Sequence, residues 1–156
     1  MQSAFIGWKQ EPDEYLERIL GHDRLEKLNP IKTFRDNDIM VSFGSDAPCT
    51  TPDPIAWIDR AVNNDNAGQA VSVQDALRMC TYNGAWAASD EQARGSLEAG
   101  KIADMAVLSE NPYTVPKDKL SGLRVERLYL SGKSYESCRE SILPMMLRGL
   151  TSRNKA

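Results

Sequence analysis

The chain has 156 residues, 41% apolar and 26% charged, with a formal net charge of −3. That length suits one domain or two small ones with a real core, and the weakly acidic balance excludes a basic nucleic-acid or anionic-membrane surface. No apolar run approaches the roughly 18 residues of a membrane span. The start, Met1 to Ile6, lacks the pattern of a secretory signal. Cys49, Cys80 and Cys138 are odd in number and form no C-x-x-C pair, which argues against a disulfide framework and for a reducing, cytoplasmic setting.

Ser3 to Trp8 reads as a short apolar strand. Glu11-Pro12-Asp13-Glu14 then opens a helix with an acidic first turn, with Tyr15, Leu16, Ile19 and Leu20 as its apolar face and Gly21 as its stop. Asn29-Pro30 pairs an N-cap with proline at the first helical position, for a short helix through Phe34 and Arg35. After the turn Asp36-Asn37-Asp38, Ile39 to Phe43 is the run expected of a strand buried on both faces of a parallel sheet.

Asp53-Pro54 starts a helix with Ile55, Ile58 and Val62 on one side, and Asn63 to Gly68 is a loop. Ser72-Val73-Gln74-Asp75 approximates a capping box. The helix behind it turns Val73, Ala76, Leu77 and Cys80 inward and is expected to run to Ala88. Past Asp90 the texture becomes β-rich. Met105 to Leu108 and the half-exposed Val125 to Leu130 are the strands, and Ser131-Gly132-Lys133 is a tight turn. The boundary is set near residue 93, giving segments 1–92 and 93–156. From Glu136 a helical pattern returns (Cys138, Ile142, Met145, Met146), interrupted by Pro144, and the basic tail Arg148, Arg153, Lys155 reads as a solvated terminus.

Three motifs stand in order along this frame. Val41-Ser42-Phe43-Gly44-Ser45-Asp46-Ala47-Pro48 is a strand that ends on an aspartate and a proline loop. Asn83-Gly84-Ala85 follows in a helix, and then Gly95-Ser96-Leu97-Glu98-Ala99-Gly100-Lys101-Ile102-Ala103-Asp104 leads into the apolar Met105 to Leu108. Over about Phe5 to Lys133 this order resembles the C-terminal portion of the amidohydrolase superfamily, in particular its YtcJ-like branch. The resemblance implies an α/β fold made of the C-terminal βα units of a (β/α)8 metal-dependent hydrolase barrel, in residues 1–92, plus part of a small β-sandwich domain in 93–156. Such a barrel needs about 250 residues, so the chain is expected to be a C-terminal fragment.

The resemblance also assigns a site. Asp46 is its one catalytic and metal-binding residue here: a carboxylate at a strand end that contacts a divalent metal, zinc by expectation, and carries a proton from attacking water to the leaving group. Gly44 is expected to allow a close backbone approach there. The residues read by themselves offer a plainer alternative, an Asx-turn at Asp46.

His22 is the only histidine and reads as a helix-end residue, so an imidazole metal site cannot be assembled from this chain. Cys49 has no basic neighbour in sequence and reads as inert. Thr50, Thr51 and Asp53 carry no assigned role. Lys101 and Asp104 read as scaffold, with Gly95 and Gly100 at positive φ and Asp104 bonding backbone amides.

The expected function is therefore hydrolysis of a non-peptide C–N bond in a small-molecule substrate by the complete enzyme. The isolated chain is expected to bind no metal tightly, to be inactive, and to form a homo-oligomer through exposed strand edges. The rival is a stand-alone, non-catalytic α/β module for binding or assembly.

Overall fold

In a computed structural model, residues 1–6 and 13–135 are described. The helical pattern expected from Glu136 onward, and Gly7 and Trp8 of the first expected strand, lie outside them. The described chain is α/β. Helices α1 (Asp13–Leu20), α2 (His22–Leu25), α3 (Ile31–Asp36), α4 (Pro54–Val62), α5 (Val73–Cys80) and α6 (Tyr82–Ala87) precede strands β1 (Met105–Leu108), β2 (Val125–Leu130) and β3 (Lys133–Tyr135). The strands form an antiparallel sheet in the order β1-β2-β3, with Met105 opposite Tyr129, Leu128 opposite Tyr135, and a bulge between Val107 and Leu108.

α4 carries the core because its caps and its apolar side agree. The Asp53 carboxylate accepts from the amides of Ile55 and Ala56 at 3.0 and 3.3 Å, satisfying two of the donors a helix start leaves orphaned. Ile58, Ala61 and Val62 are buried beneath it, with Ile31, Val71, Ala76 and Met79. Leu120 and Leu123, from the 3₁₀ segment Lys117–Gly122 that leads into β2, join the same cluster. A buried Ile or Leu contributes about 1.5–3 kcal/mol.

The capping box at Ser72 forms in part. Ser72 Oγ accepts from the Asp75 amide at 3.0 Å and donates to the Asp75 carboxylate at 2.7 Å. That carboxylate also takes the Arg35 guanidinium at 2.7 Å, which ties α3 to the start of α5.

Four local expectations are corrected. Ser3–Phe5 is a 3₁₀ turn, not a strand: the Phe5 and Ile6 amides donate to Gln2 and Ser3 three residues back, and Ile6 reaches the core without a ladder. Asn29 is not the cap of α3. It sits at φ 50°, and Pro30 occupies the cap position without a side-chain bond. The apolar side of α1 is largely uncovered among the described residues, with Tyr15, Leu16 and Ile19 exposed.

The fourth concerns the helix expected to run from Val73 to Ala88. It breaks at Thr81 (φ −116°, ψ −89°) into α5 and α6. Gly95 packs into that break at φ 89°: a Cβ there would lie 2.7 Å from Ala85 Cβ and 3.0 Å from Tyr82 Cα. Gly100 also needs a positive φ, 94°, but a Cβ on it would meet nothing.

These two glycines separate two costs. Gly95→Ala adds a backbone clash to an unfavourable φ, so urea unfolding should show a loss on the order of 2–4 kcal/mol. Gly100→Ala should lose only about 1–2 kcal/mol. Equal losses would mean that the contact with α6 carries nothing.

Candidate functional site

The segment Ile39 to Gly44 is extended, but it is not a ladder strand as expected. The Met1 ammonium donates to the Ser42 carbonyl at 2.7 Å, and the Gly44 amide donates to the Met1 carbonyl at 3.1 Å. Two bonds straddling Phe43 in this way make one rung of a parallel pairing, and α1, α2 and α3 lie in the connection between its two sides. The opposite edge is held by other means. The Phe43 amide donates to the Met79 carbonyl at 3.2 Å, and Asn83 Nδ2 donates to the Val41 carbonyl at 2.7 Å. Asn83 is itself buried, 5% exposed. Val41 is buried and Phe43 packs on the core, while Ile39 and Met40 are exposed.

Asp46 follows as the chain leaves this segment. It lies exposed with φ 55°, a left-handed conformation that aspartate tolerates better than most residues. Bonds on both sides fix the backbone around it. Ala47 N donates to Ser45 Oγ at 3.1 Å, Cys49 N donates to the Asp46 carbonyl at 2.8 Å, and Thr50 Oγ1 donates to the Ser45 carbonyl. Among the described residues a side chain at Gly44 would meet nothing within 4 Å, so none of them makes the close approach expected at that glycine.

Of the other sequence candidates, Cys49 shares this loop, and His22, Lys101 and Asp104 lie in other parts of the chain. His22 opens α2, with its two ring nitrogens 3.6 and 3.4 Å from the carboxylates of Glu17 and Glu26, all three side chains exposed. Cys49 is exposed beside the Asp46 turn. Burial pushes the Cys80 thiol up to about 12. Lys101 Nζ gives its protons to the Glu91 carbonyl at 2.7 Å and Ser96 Oγ at 2.6 Å and lies 3.5 Å from the Glu98 carboxylate.

Asp104 is a scaffold residue, as its motif suggests. Oδ1 accepts the Ser131 amide at 2.8 Å and Oδ2 accepts Arg94 Nη1 at 3.0 Å, closing the β2–β3 turn back onto the entry to β1. Gly132 N adds a bond to the Ala103 carbonyl at 2.9 Å.

Among the described residues no three His, Cys, Asp or Glu side chains come together as a metal site would require. The donors present here do not fit a metal by themselves, since one exposed carboxylate at Asp46 is a single ligand where catalytic zinc takes three from the protein.

A model of the amidohydrolase family matches residues 2–135. The chain belongs to that family. N-substituted formamide deformylase of Arthrobacter pascens is 35% identical over 136 residues, 83% of this chain and 23% of that protein. The putative amidohydrolase YtcJ of Bacillus subtilis is 28% identical over 124 residues, 73% of this chain and 23% of its own length, and the YtcJ-like branch is where this member falls. Among solved structures, an uncharacterized metal-dependent hydrolase from Pyrococcus furiosus superposes with a TM-score of 0.62 at 29% identity, over 72% of this chain and 23% of that one. The amidohydrolase chain described here thus spans about a quarter of the length of these relatives. No helix among its described residues is long and apolar enough to cross a membrane.

One contribution is invisible in the motifs read singly. Asn83 and the Met79 carbonyl hold the segment that leads to Asp46, and the only sequence signal for it is an Asn-Gly pair inside a helical stretch.

Two measurements follow. Asp46→Asn should change urea stability by under about 0.5 kcal/mol, because the carboxylate is exposed. Asp104→Ala orphans the Ser131 amide and should cost about 1–3 kcal/mol; an Asp46 variant weaker than the Asp104 variant would reverse site and scaffold. Iodoacetamide at about pH 8 should label Cys49 well before Cys80, read by peptide mass spectrometry, because a thiol pushed to about 12 holds almost no thiolate there.

Proposed function

We propose that this chain is the C-terminal part of a metal-dependent amidohydrolase whose complete form hydrolyses an amide-like C–N bond in a small molecule. N-substituted formamides are the substrate class favoured by the deformylase relative. The observation that carries the reading is the placement of Asp46, with an exposed carboxylate just beyond a segment paired in the parallel sense with Met1. A strand in a parallel sheet presents its C-terminal end to the reactive face of an α/β barrel, and family membership supplies the hydrolytic context.

In such a hydrolysis water adds to the carbonyl carbon. One proton must leave that water and one must reach the departing nitrogen, and a single carboxylate can take the first and deliver the second. Asp46 is the residue of this chain assigned to that transfer. A divalent metal, zinc by preference, would activate the water in the complete enzyme. The donors among the described residues do not make its site by themselves.

The isolated chain is accordingly inactive, and the exposed Ile39 and Met40, with the edge of β3 that no described strand covers, favour self-association. The second reading, a non-catalytic module, is favoured by the lack of a metal-donor cluster among the described residues.

Purified, unchelated chain should contain far less than stoichiometric zinc by elemental analysis and release no formate from N-substituted formamides. Light scattering after size exclusion should give more than the 17.4 kDa of one chain. Extending the polypeptide upstream with its own genomic sequence should bring zinc and turnover together, and Asp46→Asn in that form should lower kcat at least about a hundredfold. Stoichiometric zinc in the short chain, or full turnover by the Asp46 variant, would overturn the assignment.

A further inference from the structure

We propose that Asn83 is a positioning residue for Asp46: together with the Met79 carbonyl it clamps the segment that presents this aspartate, and Gly95 seats the clamp. The inference rests on the reading of Asp46 as the reactive carboxylate.

Val41 and Phe43 lie two residues apart, so their backbone groups face the same edge of the extended segment. A neighbouring strand would normally fill that edge. Here it is filled by the junction between α5 and α6, through the Asn83 amide on the Val41 carbonyl and the Met79 carbonyl on the Phe43 amide. The Met79 carbonyl belongs to the last turn of α5, where helical carbonyls have no partner within the helix. The break at Thr81 creates that orphan, and Phe43 satisfies it.

The asparagine is placed by burial as well as by its bond. It is 5% exposed and its Oδ1 has no hydrogen-bond partner among the described residues, and the bond it donates to Val41 is the polar contact seen there that fixes this side chain. Gly95 approaches within 3.0 Å of Tyr82 Cα and within 2.7 Å of Ala85 Cβ, counted from where its own Cβ would stand. A larger residue there would push on the turn that holds Asn83. Phe43, the second gripped residue, is three positions before Asp46, so a shift of the grip is carried to the carboxylate through only the two intervening residues, Gly44 and Ser45.

The test is nuclear magnetic resonance on the full chain, reading hydrogen exchange at the Phe43 amide and the amide and carboxyl resonances of Asp46. Asn83→Ala should speed exchange at Phe43 at least about tenfold and shift the Asp46 signals. Asp104→Ala, which loosens the distant β2–β3 turn, should leave both unchanged. Asn83→Asp keeps the shape but loses the donor when ionised. Lowering the pH to about 5 should restore Phe43 protection and the Asp46 signals in this variant, because a buried carboxyl regains its proton early and its O–H can donate to Val41.

Unchanged Phe43 and Asp46 in Asn83→Ala, or an equal disturbance from Asp104→Ala, overturns the clamp. Should Asn83→Ala fail to fold, the Asp variant decides alone: recovery on acidification supports the clamp and its absence overturns it. A confirmed clamp beside an upstream-extended Asp46→Asn enzyme with full turnover would refute the reading of Asp46 and leave the clamp standing.

Discussion

An extended segment with too few strand neighbours and a helix end with too many free carbonyls meet at one place, and the described structure is organised around that meeting. Among the described residues, Ile39 to Gly44 has a single parallel rung, with Met1. α5 ends at Cys80 with its last carbonyls unpaired by the helix, and buried backbone groups left in that state cost about as much as a lost hydrogen bond. Each deficit answers the other: the Phe43 amide donates to Met79 and the Asn83 side chain donates to Val41, while the Thr81 hydroxyl donates to the Leu77 carbonyl within the helix end itself. The elements that follow are stacked on this node. Gly95 lies against the break, and Lys101 sits over the Tyr82 ring, 5.8 Å from its centroid.

The two motif aspartates differ in what their side chains touch. Asp46 spends its backbone on turn bonds and leaves its carboxylate exposed, whereas Asp104 spends its carboxylate on Ser131 and Arg94. A carboxylate with two partners is a structural tie, whereas the exposed one beyond the core-anchored segment makes none among the described residues. Two aspartates in two family motifs are thus held in opposite ways, one side chain exposed and the other bonded. The difference follows from what each oxygen touches, not from the motif that contains it.

Stability and presentation are coupled through α4 and α5. Ala61 accepts the Val71 amide at 3.1 Å, Arg35 reaches Asp75, and Leu120 and Leu123 bring the approach to the sheet into the same apolar cluster. α5, which grips the Asp46 segment through Met79, therefore packs in the same core as α4. A surface change on α2, where His22 lies among exposed carboxylates, has no such route to the site.

Much of this was legible in the residues. Periodicity and capping placed α1, α4 and the start of α5, because Asp53 and Ser72 act within three residues of themselves. The Gly95 to Leu108 motif placed its positive-φ glycines and β1, since a φ that only glycine adopts cheaply is a local fact. Asp46 was legible as a candidate from its motif. The tertiary structure alone decided that Ile39 to Phe43 is not a ladder strand, that the helix expected to reach Ala88 breaks at Thr81, and that Asn83 reaches back 42 residues to Val41. Those outcomes depend on which distant groups satisfy a buried carbonyl or amide, and local sequence carries no record of partners that only folding brings within 3 Å.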